Sequence, residues 1–205
     1  MPERVSDLRP RGPWAGLASW LLLTIAAVSA RPLLADDAIV ERLREPGAVL
    51  LIRHALAPGI GDPADFRLGD CATQRNLSEE GRQQARAIGR WLRAHGVANA
   101  RVYSSQWCRC RETAALLDIG PVRELPALNS FFERPGEREG RVAALQEFLF
   151  AQPRDGNLLV LVTHQVTISA LSDTFADSGT GVLMALGEGG RIERVGPLAF
   201  RSRRE

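Results

Sequence analysis

The chain has 205 residues, 45% of them hydrophobic, enough for one domain with a substantial core once any targeting segment is set aside. Its 26 basic residues are all arginine, so every fixed cation can grip an oxyanion bidentately. The formal net charge is +2; residues 1–35 hold Arg4, Arg9, Arg11 and Arg31 against Glu3 and Asp7, so the remainder is about neutral, which argues against a general nucleic-acid binder.

Arg4, Arg9 and Arg11 precede an uncharged, mostly apolar stretch from Trp14 to Ala30, with small-residue cleavage sites at Val28-Ser29-Ala30 or at Ala35. Residues 1–35 therefore read as an export signal, or as a retained N-terminal membrane anchor, because the stretch approaches spanning length. Residues 36–205 form the domain proper. Asp36 or Asp37 caps a helix through Arg44, stopped at Pro46-Gly47. Ala48 to Ile52 is wholly apolar, as suits a strand covered on both faces, and it leads straight into Arg53-His54. A loop rich in Gly, Pro and Asp runs from Ala55 to Asn76; loops of this length in compact domains are usually functional.

Ser78 caps the next helix, with Glu79 and Glu80 in its first turn and an apolar face of Ala85, Ile88, Trp91 and Leu92. It closes at His95-Gly96, where His95 suits the helix C-terminus and has no catalytic role. A short strand at Arg101–Tyr103 is followed by a helix capped at Ser104 or Ser105 and running to Leu117, with Arg109 near its start and Arg111 on the surface. Val122–Leu125 is a further strand, and Asn129–Gly140 is irregular before a helix over Arg141–Phe150. Asn157–Val162 is the second wholly apolar strand and ends in Thr163-His164. After a short helix, antiparallel strands are expected at Val182–Leu186, Arg191–Val195 and Leu198–Phe200. The alternation indicates an α/β three-layer sandwich, a mostly parallel sheet flanked by helices with an antiparallel edge. With Cys71, Cys108 and Cys110, one disulfide from Cys71 to Cys108 or to Cys110 is permitted, and Cys108-x-Cys110 lacks the spacing of a zinc motif.

Two apolar strands that deliver Arg53-His54 and His164 to one sheet edge, with Arg109 opening a helix, form a constellation for phosphoryl transfer through histidine. Together with Leu77-Ser78-Glu79-Glu80-Gly81 and with Thr113-Ala114, these segments resemble the histidine phosphatase superfamily, in its phosphoglycerate mutase-like branch, over about residues 47 to 172. The resemblance implies a phosphomonoester hydrolase, exported on the reading of residues 1–35, with Arg53 and Arg109 on the phosphoryl oxygens, His54 as nucleophile and His164 as a donor to phosphate. Neither cofactor nor metal is expected, because guanidiniums supply the charge. The expected partner is a phosphorylated small molecule or an envelope sugar phosphate, with the membrane touched only through the N-terminal segment. Modest insertions argue against mutase activity, and export argues against a phosphoprotein substrate. The oligomeric state is not legible.

Three positions depart from the family pattern. Ala55 replaces a glycine and is expected to narrow the phosphate pocket or to constrain the backbone. Ser130 stands where the family has its leaving-group acid, which leaves Glu133, Asp62, Asp65 and Asp70 as candidates. Gln165 follows the second histidine and excludes the His-Asp pair of the acid-phosphatase branch. Ala55 and Ser130 keep open a catalytically inactive phosphate- or phospholigand-binding module of the same fold.

Overall fold

The structure, a computed structural model, describes residues 38–201; the signal or anchor at 1–35, both cleavage sites and the Asp36/Asp37 cap lie outside the described residues. From 38 to 42 the chain is helical and leads into β1 (Ala48–Arg53). The other strands are β2 (Arg101–Ser104), β3 (Val122–Glu124), β4 (Leu159–Thr163), β5 (Gly181–Leu186) and β6 (Ile192–Leu198). Helices α1 (Glu79–Ala94), α2 (Cys108–Leu117), α3 (Arg138–Phe150) and α4 (Gln165–Ser172) connect them.

The six strands form one sheet in the order β3-β2-β4-β1-β5-β6. Strands β1 to β4 run parallel, while β5 pairs antiparallel with β1 and β6 with β5. The unbroken apolar runs of β1 and β4 follow from their central place. Leu50, Ile52, Val160 and Val162 pack on one side with Ile88 and Leu92 of α1 and Leu117 of α2. Val49, Leu51, Leu159 and Leu161 pack on the other with Leu145 and Leu149 of α3 and Ile168 of α4. Both faces are covered, and three layers result.

Helix α1 starts as the sequence indicates, with Ser78 Oγ accepting from Gly81 N at 3.0 Å. Gly81 is there for proximity: a Cβ would collide with the carbonyl oxygen of Leu56, two residues after His54. The chain leaving the first catalytic-motif strand is thereby wedged against the first turn of α1.

Three boundaries differ from expectation. Helix α2 begins at Cys108 with Trp107 as its cap and no side-chain cap bond. The two serines are occupied elsewhere: Ser104 Oγ donates to Ser105 O at 2.7 Å, and Ser105 Oγ is held by Asn129 and His164. Helix α3 begins at Arg138 and not at Arg141, because a 3₁₀ turn opened by Pro135 feeds into it and Glu137 pairs with Arg141 one turn on. The last two expected strands are one, β6, which continues through Gly196-Pro197; an edge strand tolerates proline, and a register shift at Leu183/Met184 absorbs the irregularity.

The 55–76 loop contains a 3₁₀ turn (Cys71–Thr73) capped by Asp70. Of the two permitted pairings the disulfide is Cys71–Cys108, which staples the end of this loop to the first residue of α2. The bond closes a span of 37 residues, for which chain-entropy arguments give about 4 kcal/mol. Urea unfolding of Cys71→Ser is expected to show a loss of roughly 2–4 kcal/mol, and an unchanged midpoint would rule out a stabilising bridge.

Candidate active site

Register brings the two histidines together. Arg53 lies opposite Thr163 in the β1–β4 ladder, and His54 N donates to Thr163 O at 3.0 Å. Both imidazoles emerge at the C-terminal edge of adjacent parallel strands, where open α/β sheets place their ligands. Their ring centroids are 5.6 Å apart in a T-shaped arrangement, and both rings are buried. Arg53 at the end of β1 and Arg109 in the first turn of α2 line the same cavity of about 220 Å³. All four residues singled out in the sequence therefore meet in one place.

His54 Nδ1 lies 2.8 Å from Ala55 O. A carbonyl only accepts, so Nδ1 carries the proton and Nε2 holds a free lone pair. Burial, reinforced by the charges of Arg109, Arg75 and Arg53 and only partly offset by the Ala55 bond, lowers the His54 pKa to about 3. His164 is also held well below its ordinary value, first by burial and then by His54 and the same arginines. Its Nε2 meets Ser105 Oγ at 2.9 Å and Cys110 Sγ at 3.5 Å, which leaves Nδ1 as the nitrogen without a hydrogen-bond partner among the described residues. The Cys110 thiol is pushed up to about 12 by burial and is no nucleophile.

Both imidazoles are thus neutral in the fold over a range where the unfolded chain takes up protons. Below about pH 6.5 acid favours the unfolded state, so stability should fall with falling pH. For His54 that loss continues down to about 3. We expect the unfolding free energy to drop by about 1.4 kcal/mol per pH unit from His54 alone between roughly pH 6 and 4, with a further loss in the same direction from His164. Denaturant titrations across that range check this, and a flat profile contradicts neutral burial.

Arg109 is gripped end-on. Its Nη1 and Nη2 donate to Asp62 Oδ1 and Oδ2 at 2.7 and 3.1 Å, and Nη1 also reaches Arg75 O at 3.3 Å. Its Nε is buried with no hydrogen-bond partner among the described residues, and so is the Nε of Arg53, whose Nη1 donates to Ala176 O at 3.0 Å. Both guanidiniums line the cavity, and their free hydrogens suit an oxyanion. Arg75, which the sequence reading missed, is a third arginine on the cavity wall; its Nε donates to Gly61 O at 2.8 Å and its Nη1 to Ala57 O. It sits alone in a loop, with no spacing signal to single it out.

The four acid candidates separate cleanly. Asp65 is exposed away from the cavity, and Asp70 caps the 3₁₀ turn and pairs with Arg67. Asp62 lines the cavity, but although burial alone would raise its pKa, the Arg109 fork, the Trp107 indole and the Arg75 amide pull it below the ordinary value. It stays ionised and is a poor proton donor. Glu133 lines the cavity, with Oε1 accepting from Asp62 N at 3.1 Å, and Ser130 lines it as well. Arg111 lies outside, paired with Glu124 at 3.0 Å. The Ala55 expectation is corrected: its backbone is not at positive φ, and its methyl packs with Ala57, Leu77 and Ala85 outside the cavity wall.

The family model described as "Histidine phosphatase superfamily (branch 1)" matches residues 49–132, from inside β1 to just beyond Ser130. Over those residues the chain is similar to the histidine phosphatase superfamily. Solved structures of similar fold include the protein histidine phosphatase SixA complexed with tungstate (17% identical, covering 75% of this chain and 97% of that one, TM-score 0.53). A second bears the name phosphohistidine phosphatase SixA, from Nakamurella multipartitia (25% identical, 68% and 84% covered, TM-score 0.50). A third is a phosphoserine phosphatase mutant from Entamoeba histolytica in complex with phosphoserine (14% identical, 75% and 98% covered, TM-score 0.53). No curated protein matches the sequence significantly. The mixed α/β fold of this chain, with its central six-stranded sheet, is similar to the fold of those structures.

Proposed function

We propose that this protein is an exported phosphomonoester hydrolase that works through a phosphohistidine on His54. The observation that carries this reading is the buried, neutral His54, its Nε2 lone pair free, on one cavity wall with Arg53 and Arg109, whose Nε groups have no partner among the described residues. Arg53 and Arg109, with Arg75 nearby, neutralise the phosphoryl oxygens and orient them, which is most of the catalysis in such transfers. His54 Nε2 then attacks phosphorus as the P–O bond to the leaving alcohol breaks. His164 donates to a phosphoryl oxygen, its ring oriented by the 2.9 Å contact between Nε2 and Ser105 Oγ. Water attacks the phosphohistidine in the second step and releases inorganic phosphate.

Glu133 takes the role of proton donor to the leaving oxygen and then of base toward the water, since it is the acidic candidate on the wall not already spent on an arginine. The guanidiniums carry the charge work, so no metal is required. Export is supported by the Arg-flanked apolar stretch at Trp14–Ala30 and by the Cys71–Cys108 disulfide, a bond favoured in oxidising compartments. The substrate is a phosphorylated small molecule.

The purified domain is expected to hydrolyse an aryl phosphate in the presence of chelator. Glu133→Gln should lower kcat on an alkyl phosphate by about 10²-fold or more while sparing an aryl phosphate, whose leaving group needs no proton. Equal losses on both esters would remove Glu133 from its role. A protein that binds phosphate and turns over neither ester is the phospholigand-binding module instead.

A further inference from the structure

Six large hydrophobic side chains are well exposed among the described residues, and three of them line the phosphoryl cavity: Ile60 at 90%, Phe132 at 58% and Phe175 at 71%. They come from three separate loops, so no single amphipathic element explains their meeting. Isolated exposed hydrophobics are ordinary, whereas several converging on one concave site mark a binding surface.

Three polar side chains on the same wall, Gln165, Ser130 and Asp62, are engaged by the protein itself, while Glu133 and Arg134 stay exposed at its rim. Gln165 donates from Nε2 to Ser169 Oγ at 2.7 Å and accepts at Oε1 from Ala176 N at 2.8 Å. Ser130 Oγ accepts from Phe132 N at 3.2 Å, and both oxygens of Asp62 are taken by Arg109. Against the collar and the Gln165, Ser130 and Asp62 side of the wall, a hydroxylated leaving group would lose water and gain few hydrogen bonds, which is costly. A hydrocarbon would lose nothing polar and would cover three exposed apolar side chains.

We infer that the substrate of this site is a phosphomonoester whose leaving group is a hydrocarbon-rich body, larger than the cavity and lying across the collar of Ile60, Phe132 and Phe175. The inference rests on the reading of Arg53 and Arg109 as the phosphoryl holders, and it sets aside the envelope sugar phosphate expected from sequence. The cavity, about 220 Å³, is below the roughly 300–1,000 Å³ of sites that enclose a whole drug-sized ligand. It suits the phosphoryl group and the first atoms of the leaving group, with the rest on the rim.

Ethyl, butyl, hexyl and octyl phosphate differ in length and hardly at all in leaving-group chemistry. With the purified protein, kcat/KM is expected to rise two- to fourfold per methylene until the collar is covered, the upper figure being full burial of each CH₂. Phe132→Ser/Phe175→Ser should flatten that rise, and its thermal unfolding confirms an intact fold. Calorimetry with the matching alkylphosphonates, which cannot be hydrolysed, reads the same trend in affinity without turnover. Benzylphosphonate beside hexylphosphonate tells a ring from a chain. A flat length dependence in the unsubstituted protein overturns the inference, as does an undiminished rise in the double variant or a preference for glucose 6-phosphate over hexyl phosphate. Phosphonate affinity that grows with length, without turnover of any ester, supports this inference and sinks the phosphatase reading instead.

Discussion

His54→Ala is expected to reduce phosphatase turnover by roughly 10⁴-fold or more, the scale on which losing a nucleophile removes a covalent pathway. The variant should also take up no acid-labile phosphoryl label from substrate. The geometry makes this substitution decisive. Nδ1 is committed to Ala55 O, so the imidazole has one reactive nitrogen, already deprotonated because burial and three nearby guanidiniums exclude a further positive charge. Rapid-quench labelling followed by alkaline isolation of phosphohistidine is the measurement. Label retained in His54→Ala, or labelling of the unsubstituted chain at His164, would reassign the nucleophile. His95 is the internal control. It lies at the end of α1, with Nδ1 donating to Trp91 O and its ring stacked on the indole, and its replacement should leave the label unchanged.

Arg109→Ala is expected to cost about 10²–10³ in kcat, the range seen when one oxyanion donor is removed. The variant carries a second effect that must be separated. Asp62 would be left as an unpaired carboxylate with 7% of its side chain exposed, and stranding one member of a buried pair destabilises by roughly 3–5 kcal/mol. Arg109→Ala/Asp62→Asn removes that stranded charge. Its unfolding midpoint should recover most of the loss while its turnover stays low. Recovery of activity along with stability would mean that Arg109 serves the fold and not the phosphoryl group.

Elements whose residues answer to a local rule were readable before any coordinates. β1 and β4 declare themselves because a strand covered on both faces has no polar position to interrupt it. Helix α1 does so through its Ser78 cap and its apolar stripe at helical spacing. Arg53, His54, Arg109 and His164 were legible for the same reason: each lies at the end of a regular element whose direction the pattern fixes. What escaped was set by tertiary closure. Arg75, and the pairing of Asp62, which the sequence offered only as a candidate acid, depend on partners (the Ala57 and Gly61 carbonyls and Arg109) met only once the 55–76 loop folds over the sheet edge. Ser105 looked like a helix cap and instead supports His164, because a side-chain hydroxyl has the same local appeal in either role. The choice of Cys71–Cys108 over Cys71–Cys110 turns on which cysteine of α2 faces the loop and which faces the core, a rotation that two cysteines in a Cys-x-Cys spacing do not announce.

The pairing of Arg53 with Thr163 has one more effect. The spacing between the two imidazoles is set by the lateral gap between neighbouring strands, and no intervening loop has any say in it. Loop segments between residues 54 and 164 other than those that hold the rings, such as Ser105 and Gly81, can therefore lengthen, shorten or be re-lettered without moving the two imidazoles apart. Such an arrangement lets the rim change while the pair of rings stands still.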